Sequence, residues 1–179
     1  MTKEEVIQSI RNVPDYPIKG IQFKDITTAW AKPECLKWMR DELVKHYQDL
    51  GITQVVGIES RGFVIAPALA MELGAGFVPI RKSGKLPAET IKVNYTKEYG
   101  TDTIEMHKGA LQENDVVLIH DDILATGGSM EGAINLVRKS GVKKIYVNCI
   151  FELDGLHGSE YLQGKADDIY CLFGIEVNE

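Results

Sequence analysis

The chain predicts an α/β domain in which a mostly parallel sheet is flanked by helices, and three observations carry the prediction. Short apolar runs bounded by turn residues, among them QVVGIE, GFVPI, DVVLIH and KKIYVNCI, read as buried strands. Segments with helical spacing, GFVIAPALAMEL and GSMEGAINLVRKSG, stand between them. The order strand, helix, strand occurs twice, which sets neighbouring strands parallel and puts helices on both faces.

Taken in order, residues 3 to 11 read as a short helix, and YPIKGIQFKDITTAW has the Pro and Gly punctuation of a structured loop. A second helix is expected over 33 to 50. Pro33 suits its first turn, Leu36, Met39, Leu43, Tyr47 and Leu50 recur at helical spacing, and Gly51 supplies the stop. QVVGIE is then a strand, GFVIAPALAMEL a helix ended by Gly74, and GFVPI a parallel partner strand. The long polar segment RKSGKLPAETIKVNYTKEYGTDTIEMHKG follows, with TIKVNY and DTIEMH as a two-stranded excursion around Lys97 to Gly100. Connections of that length in a compact domain are usually functional or mobile. DVVLIH, GSMEGAINLVRKSG and KKIYVNCI repeat the unit, and the tail from Gly155 is loop-rich before a last apolar strand, DIYCLF.

Length and composition bound the function. At 179 residues the chain has the length of one domain with a sizeable core, so 1–179 is read as a single unit. No apolar run approaches the roughly eighteen residues that a membrane span needs, and the N-terminus has no signal-peptide core. Cys35, Cys149 and Cys171 are odd in number and widely spaced, which fits reduced thiols in the cytoplasm better than a disulfide framework or a zinc site. A net charge of −6 disfavours a general nucleic-acid binder. A small anion held by a few local cations remains allowed.

The stretch VVLIHDDILATGGSM, Val116 to Met130, concentrates the chemistry. An apolar strand ends in Asp121 and Asp122, where an open parallel sheet binds its ligands, and a helix starts near Gly128. Gly127 and Gly128 allow close backbone approach, Thr126 and Ser129 offer hydroxyl donors, and the helix end attracts a phosphate. No Gly-Lys-Ser/Thr follows the glycines and no GxGxxG is present, so neither common nucleotide loop fits. Asp-Asp alone reads as well as a capped strand end. Two carboxylates beside an anion loop pose a charge conflict.

Whole, the stretch resembles the phosphoribosyl pyrophosphate signature of the type I phosphoribosyltransferases. YPIKGIQFKDIT, GIESRGFVIAPALAMELG, VPIRKSGKLP and YTKEYGTDTIEMH extend the resemblance, in order, over nearly the whole chain, and it is strongest toward the adenine-specific branch of the family. It implies a type I phosphoribosyltransferase fold with a small N-terminal hood, about residues 1–32, and a mobile active-site lid, about residues 82–108. It implies an enzyme of purine salvage that converts adenine and phosphoribosyl pyrophosphate to AMP and pyrophosphate. By the same resemblance Asp121 and Asp122 face the ribose hydroxyls, and Ala125, Thr126, Gly127, Gly128 and Ser129 cradle the 5′-phosphate. Glu59, Ser60, Arg61, Arg81 and Lys85 fall to the pyrophosphate, with Glu59–Ser60 at a position where the family often holds a cis peptide. The resemblance implies that Glu98 handles the base proton, Tyr95 and Tyr99 are candidates to screen the reaction centre, and Glu98 with Tyr99 is the expected catalytic pair.

Phe23, Lys24 and Ile123 resemble the base site, with Lys24 in place of the arginine common in FRDI. Mg2+ is implied because a diphosphate leaving group develops charge that a metal neutralises, and no cage of protein side chains alone is apparent. The resemblance also implies a homodimer. His120 departs from the apolar or acidic residue expected before the pair and reads as a strand-end substitution. Hypoxanthine-guanine or xanthine transfer is the alternative within the enzyme class. A non-catalytic regulator sensing phosphoribosyl pyrophosphate is the alternative outside it, against which stand the short N-terminal extension, the negative charge and a lid sequence.

Overall fold

Residues 1–96 and 100–177 are described by the computed structural model; Lys97, Glu98 and Tyr99, the centre of the expected lid, lie outside the described residues. The chain opens with α1 (Lys3–Ile7), behind a Thr2–Glu5 capping box in which each side chain bonds the other residue's amide. A small antiparallel pair follows, β1 (Arg11–Pro14) with β2 (Gln22–Asp25), and then α2 (Thr27–Trp30). The main layer runs α3 (Pro33–Tyr47), β3 (Gln54–Ile58), a 3-10 turn (Arg61–Phe63), α4 (Ala66–Leu73) and β4 (Gly76–Lys82). The excursion is β5 (Thr90–Thr96) and β6 (Thr101–His107), and the second unit is β7 (Val116–Leu124), α5 (Gly128–Arg138) and β8 (Lys144–Asp154). The chain closes with α6 (Gly158–Leu162) and β9 (Asp168–Glu176).

The main sheet has the order β5-β6-β4-β3-β7-β8-β9. From β4 to β9 every pairing is parallel, and the β5–β6 hairpin joins the β4 edge antiparallel. The α/β reading with a mostly parallel sheet therefore holds. Alternation along the strands feeds two cores, since successive side chains of a strand point to opposite faces. On one face, Met39, Leu43 and Tyr47 of α3 and Leu69 of α4 pack with Val55, Leu118 and Phe151. On the other, Met130, Ala133, Ile134 and Val137 of α5 pack with Val56, Val117, Ile119 and Val147.

Six local readings differ from the structure. The helix expected over residues 3 to 11 ends at Ile7, because Arg11 opens β1 and pairs with Asp25 of β2. The segment expected as a structured loop contains β2 and α2, and Asp25 organises it. Its carboxylate accepts from the Thr27 amide at 3.0 Å and from Arg11 Nη2 at 2.5 Å. The Thr27 hydroxyl, then Arg11, hold the Asp25 carboxyl down at about 2. The helix expected to residue 50 ends at Tyr47, leaving Leu50 exposed while Met39, Leu43 and Tyr47 are buried. The helix expected over residues 62 to 73 is broken into a 3-10 turn and α4, with Pro67 in the first turn of α4 where its missing N–H costs nothing. β7 does not stop before the acidic pair. It continues to Leu124 because β8 supplies partners, Phe151 for Ile123 and Glu152 for Leu124. Finally, the loop-rich tail contains α6.

Phe151 is fully buried and stacks on Phe173 with ring centroids 6.1 Å apart. Phe151→Ala is expected to lower the unfolding free energy by about 3–5 kcal/mol, read by urea titration; a loss under about 1 kcal/mol would show that the α3-side core does not rest on this ring.

Candidate active site

The parallel pairing of β3 with both β4 and β7 makes a topological switch. Loops leaving β3 and β7 diverge there, which opens a crevice beyond the carboxyl ends of the strands. A cavity of about 270 Å³ occupies that position. Its walls are the turn Glu59-Ser60-Arg61 after β3, the acidic pair and Ile123 on β7, and the whole Ala125–Ser129 loop. Lys82 and Tyr95 reach it from β4 and β5, and Ile58, Ile80, Ile104 and Met130 give it apolar surface.

The glycine loop is shaped by contacts on both sides. Gly127 has φ +91°, a conformation that a β-carbon disfavours, and a side chain there would press on the Tyr161 ring at 2.9 Å. α5 then begins with Gly128, Ser129 and Met130 lining the cavity and runs eleven residues, long enough for its positive end to attract an anion. The turn after β3 packs directly on β7. A β-carbon on Gly62 would stand 2.8 Å from the His120 carbonyl oxygen and 3.2 Å from Asp121 Oδ1. Only glycine lets the two loops meet so closely. The Glu59–Ser60 peptide is cis.

Arg61 joins three parts of the site. Its Nε lies 3.2 Å from Asp122 Oδ2, and its guanidinium carbon is 5.6 Å from the Phe23 ring centroid. The Arg61–Asp122 approach is a charge contact off the hydrogen-bond line, so Asp122 Oδ2 is buried with no hydrogen-bond partner. Arg81 is differently placed. Its Nε and Nη2 both donate to the Glu59 carboxylate at 3.2 Å, and its Nη1 donates to the Lys85 carbonyl. Burial pushes Glu59 up, but the Arg81 bonds, the Lys82 amide and the charges of Arg81 and Lys85 outweigh it, so its carboxyl sits below the ordinary value. Lys85 is exposed in the turn after β4, and the cation that lines the cavity there is Lys82.

The structure thus brings together Glu59, Ser60, Arg61, Asp121, Asp122, Ile123 and Ala125 to Ser129. Phe23 reaches this group through Arg61 and packs edge-on against Tyr16 at 5.1 Å. Lys24 is buried in β2, opposite Asn12. Glu98 and Tyr99 lie outside the described residues. Lys82, Gly62 and Met130 escaped the sequence reading. Lys82 had a signal, because it adjoins Arg81 in a strand and therefore points to the opposite face.

His120 has its explanation on the other side of β7. Its ring is buried and hydrogen-bonded through Nδ1 to Asn148, its register partner on β8. Burial, against that bond, holds the ring at about 4, so it is neutral at pH 7. It is a core residue that backs the strand carrying the carboxylates.

The acidic pair is electrostatically costly. Burial, then repulsion from Asp122, push Asp121 well above the ordinary carboxylate range; burial raises Asp122 as well, with the Arg61 charge opposing. A carboxyl raised on folding contributes stability that is complete below its unfolded-state value and is lost as pH rises through the raised one. At neutral pH the pair therefore costs the fold stability that it does not cost at low pH. Asp121→Asn is expected to raise Tm at pH 7.5 by about 2–4 °C for each kcal/mol relieved, with the gain shrinking as pH falls toward the ordinary aspartate range. Calorimetric scans across pH measure this, and a lower Tm at pH 7.5 would contradict the stated cost.

Comparison with known proteins agrees with this geometry. Residues 31–176 match the phosphoribosyl transferase domain family. The adenine phosphoribosyltransferase of Bacteroides thetaiotaomicron is 59% identical over 94% of this chain and 94% of its own, and that of Bacteroides fragilis is 58% identical over 93% and 94%. Among solved structures, the Giardia lamblia enzyme complexed with 9-deazaadenine superposes with a TM-score of 0.94 at 42% identity, covering 98% of both chains. The Saccharomyces cerevisiae enzyme, complexed with an imino-altritol bisphosphate and adenine, gives 0.86 at 38% identity over 94% and 97%. Fold, cavity and sequence agree: the chain belongs to the phosphoribosyl transferase family, in its adenine phosphoribosyltransferase branch.

Proposed function

We propose that the chain transfers the phosphoribosyl group of phosphoribosyl pyrophosphate to adenine, releasing pyrophosphate and forming AMP in purine salvage. The observation that carries the reading is one cavity walled by a helix-opening glycine loop, two carboxylates and a cis-peptide turn with its arginine, in a chain of this family. The parts divide the ligand. Amides and hydroxyls of Ala125 to Ser129 hold the 5′-phosphate, and Asp121 and Asp122 accept hydrogen bonds from the ribose hydroxyls. The hydroxyls are neutral, so the carboxylates and the phosphate need not meet.

Ser60, Arg61 and Lys82 face the pyrophosphate. Glu59 and Arg81 act one step back, each holding the other and so fixing the turn, while Lys85 adds positive field. The residues present fit a magnesium ion that enters with its substrate. The carboxylates of Asp121 and Asp122 are hard oxygen donors on the cavity, and among the described residues no group of three or more His, Cys, Asp or Glu forms a cage. Bound there with diphosphate and water oxygens, Mg2+ would neutralise charge on the leaving group.

Displacement at the anomeric carbon passes through a cation-like sugar that water also attacks, so a cover is chemically useful. The segment 82–108 is the proposed lid, with Glu98 taking the base proton and Tyr99 screening the centre. The N-terminal hairpin and α2, within residues 1–32, form the proposed hood over the base, with 1–179 acting as one domain. Phe23 and Ile123 give the base apolar surface, and Lys24 anchors the strand beside them. Adenine's exocyclic amine donates where hypoxanthine and guanine accept, so a site paired to the donor rejects them by leaving polar groups unpaired.

A homodimer belongs to the same reading. Val64, Met71 and Phe77 are exposed apolar side chains, and Phe77 packs edge-on with Phe63 of the turn that carries Arg61. A partner covering this patch would brace each site. Among the described residues no helix is long and apolar enough to cross a membrane. The three free cysteines fit the reducing cytoplasm.

Steady-state assays with phosphoribosyl pyrophosphate, Mg2+ and each purine base test the reading. Adenine is expected to be preferred in kcat/KM by about a hundredfold or more, and chelating the metal is expected to abolish turnover. Comparable turnover of guanine, hypoxanthine or xanthine would overturn the base assignment; no turnover of any base would favour the regulator. In the same assay Asp121→Asn with Asp122→Asn is expected to lower kcat/KM by about a hundredfold or more, equivalent to some 3 kcal/mol of transition-state stabilisation. Near-normal activity would remove the carboxylates from the ribose site.

A further inference from the structure

The HGSEYL segment near the C-terminus folds as α6 against the glycine loop. The fit is close. A β-carbon on Gly158 would meet the Ala125 carbonyl oxygen at 2.3 Å, and one on Gly127 would meet the Tyr161 ring and Leu162. Ser159 ties the segment back to β8, its amide and hydroxyl donating to the Glu152 carboxylate at 2.8 and 2.5 Å.

A charged network runs from this segment to the start of α5. Glu131, in the first turn of α5, accepts hydrogen bonds from the Tyr161 hydroxyl and from Lys165 Nζ, and the Lys165 amine also sits 4.2 Å from the centre of the Tyr161 ring. The Lys165 bond, then the Tyr161 bond, hold the Glu131 carboxyl below its ordinary value. The far end of α5 is tied to the same residue, since Arg138 Nη2 donates to the Lys165 carbonyl at 2.9 Å. Lys165 therefore spans the helix that opens the cavity.

The position of Glu131 matters because a carboxylate in the first turn is attracted by the same positive helix end that an incoming phosphate uses. Left bare, it would compete with and repel the ligand. We propose that Lys165 is a positioning residue for the 5′-phosphate loop: it neutralises Glu131 and seats α6 under Gly127, leaving the amides of Gly128 and Ser129 to the ligand. The inference rests on the reading of Ala125 to Ser129 as a phosphate loop and adds to it a group outside the cavity.

Isothermal calorimetry with ribose 5-phosphate tests it without any requirement for turnover. At low ionic strength Lys165→Met is expected to weaken binding about fivefold, and the loss is expected to shrink in high salt. Glu131→Gln combined with Lys165→Met is expected to return affinity to within about twofold of the wild type, because the two residues are coupled. A lysine that served only as a structural prop would not be rescued by removing its partner's charge. Unchanged binding by Lys165→Met overturns the proposal, as does a double variant as weak as the single one, with circular dichroism confirming the fold of each. If the wild type fails to bind ribose 5-phosphate, the phosphate-loop reading itself is overturned and the inference with it.

Discussion

The site depends on one constraint of the sheet, the parallel pairing of β3 with β7. Because β4 lies on one side of β3 and β8 on the far side of β7, the loops that leave these two central strands turn away from each other. The crevice between them is the only place where the Glu59-Ser60-Arg61 turn and the Asp121-Asp122 pair come together across a single strand spacing. Gly62 closes that arrangement by resting on the His120–Asp121 backbone. A side chain there would push the arginine turn off β7 and separate the cations from the carboxylates.

Charge is then placed residue by residue rather than by net sign. The chain carries −6 overall, yet Arg61 and Lys82 stand on the cavity and Lys85 adds to the field at Glu59. Each carboxylate has its own setting. Glu59 is saturated by Arg81 and a backbone amide, Glu131 is covered by Lys165 and Tyr161, and the Asp121-Asp122 pair is left strained by burial and mutual repulsion. Asp122 Oδ2 in that pair is buried without a hydrogen-bond partner, and both residues line the cavity where the proposed ribose contact lies.

The linear parts of this arrangement were legible in the sequence, because they lie within a few residues of one another. Thr126, Gly127, Gly128 and Ser129 announce a helix-opening anion loop by residue type alone, and the alternation of strands and helices announces the sheet. The contributions that required a partner distant in sequence were not legible. β7 continues past the carboxylates because β8 runs beside it, His120 is tolerated because Asn148 waits on the next strand, and α6 exists in a tail of weak local pattern because it packs on Gly127. Arg81 shows the same limit. The family resemblance implied a pyrophosphate contact, whereas its fork is bonded to Glu59, and its neighbour Lys82 lines the cavity.

In the proposed reaction the carboxylates and the glycine loop address different parts of one ligand. A crystal structure with phosphoribosyl pyrophosphate and Mg2+, in the absence of base, tests it most directly. The 5′-phosphate oxygens are expected on the amides and hydroxyls of residues 126 to 129 and the ribose hydroxyls on Asp121 and Asp122. A ligand whose phosphate lies away from that loop, or whose ribose hydroxyls do not reach the acidic pair, would contradict it.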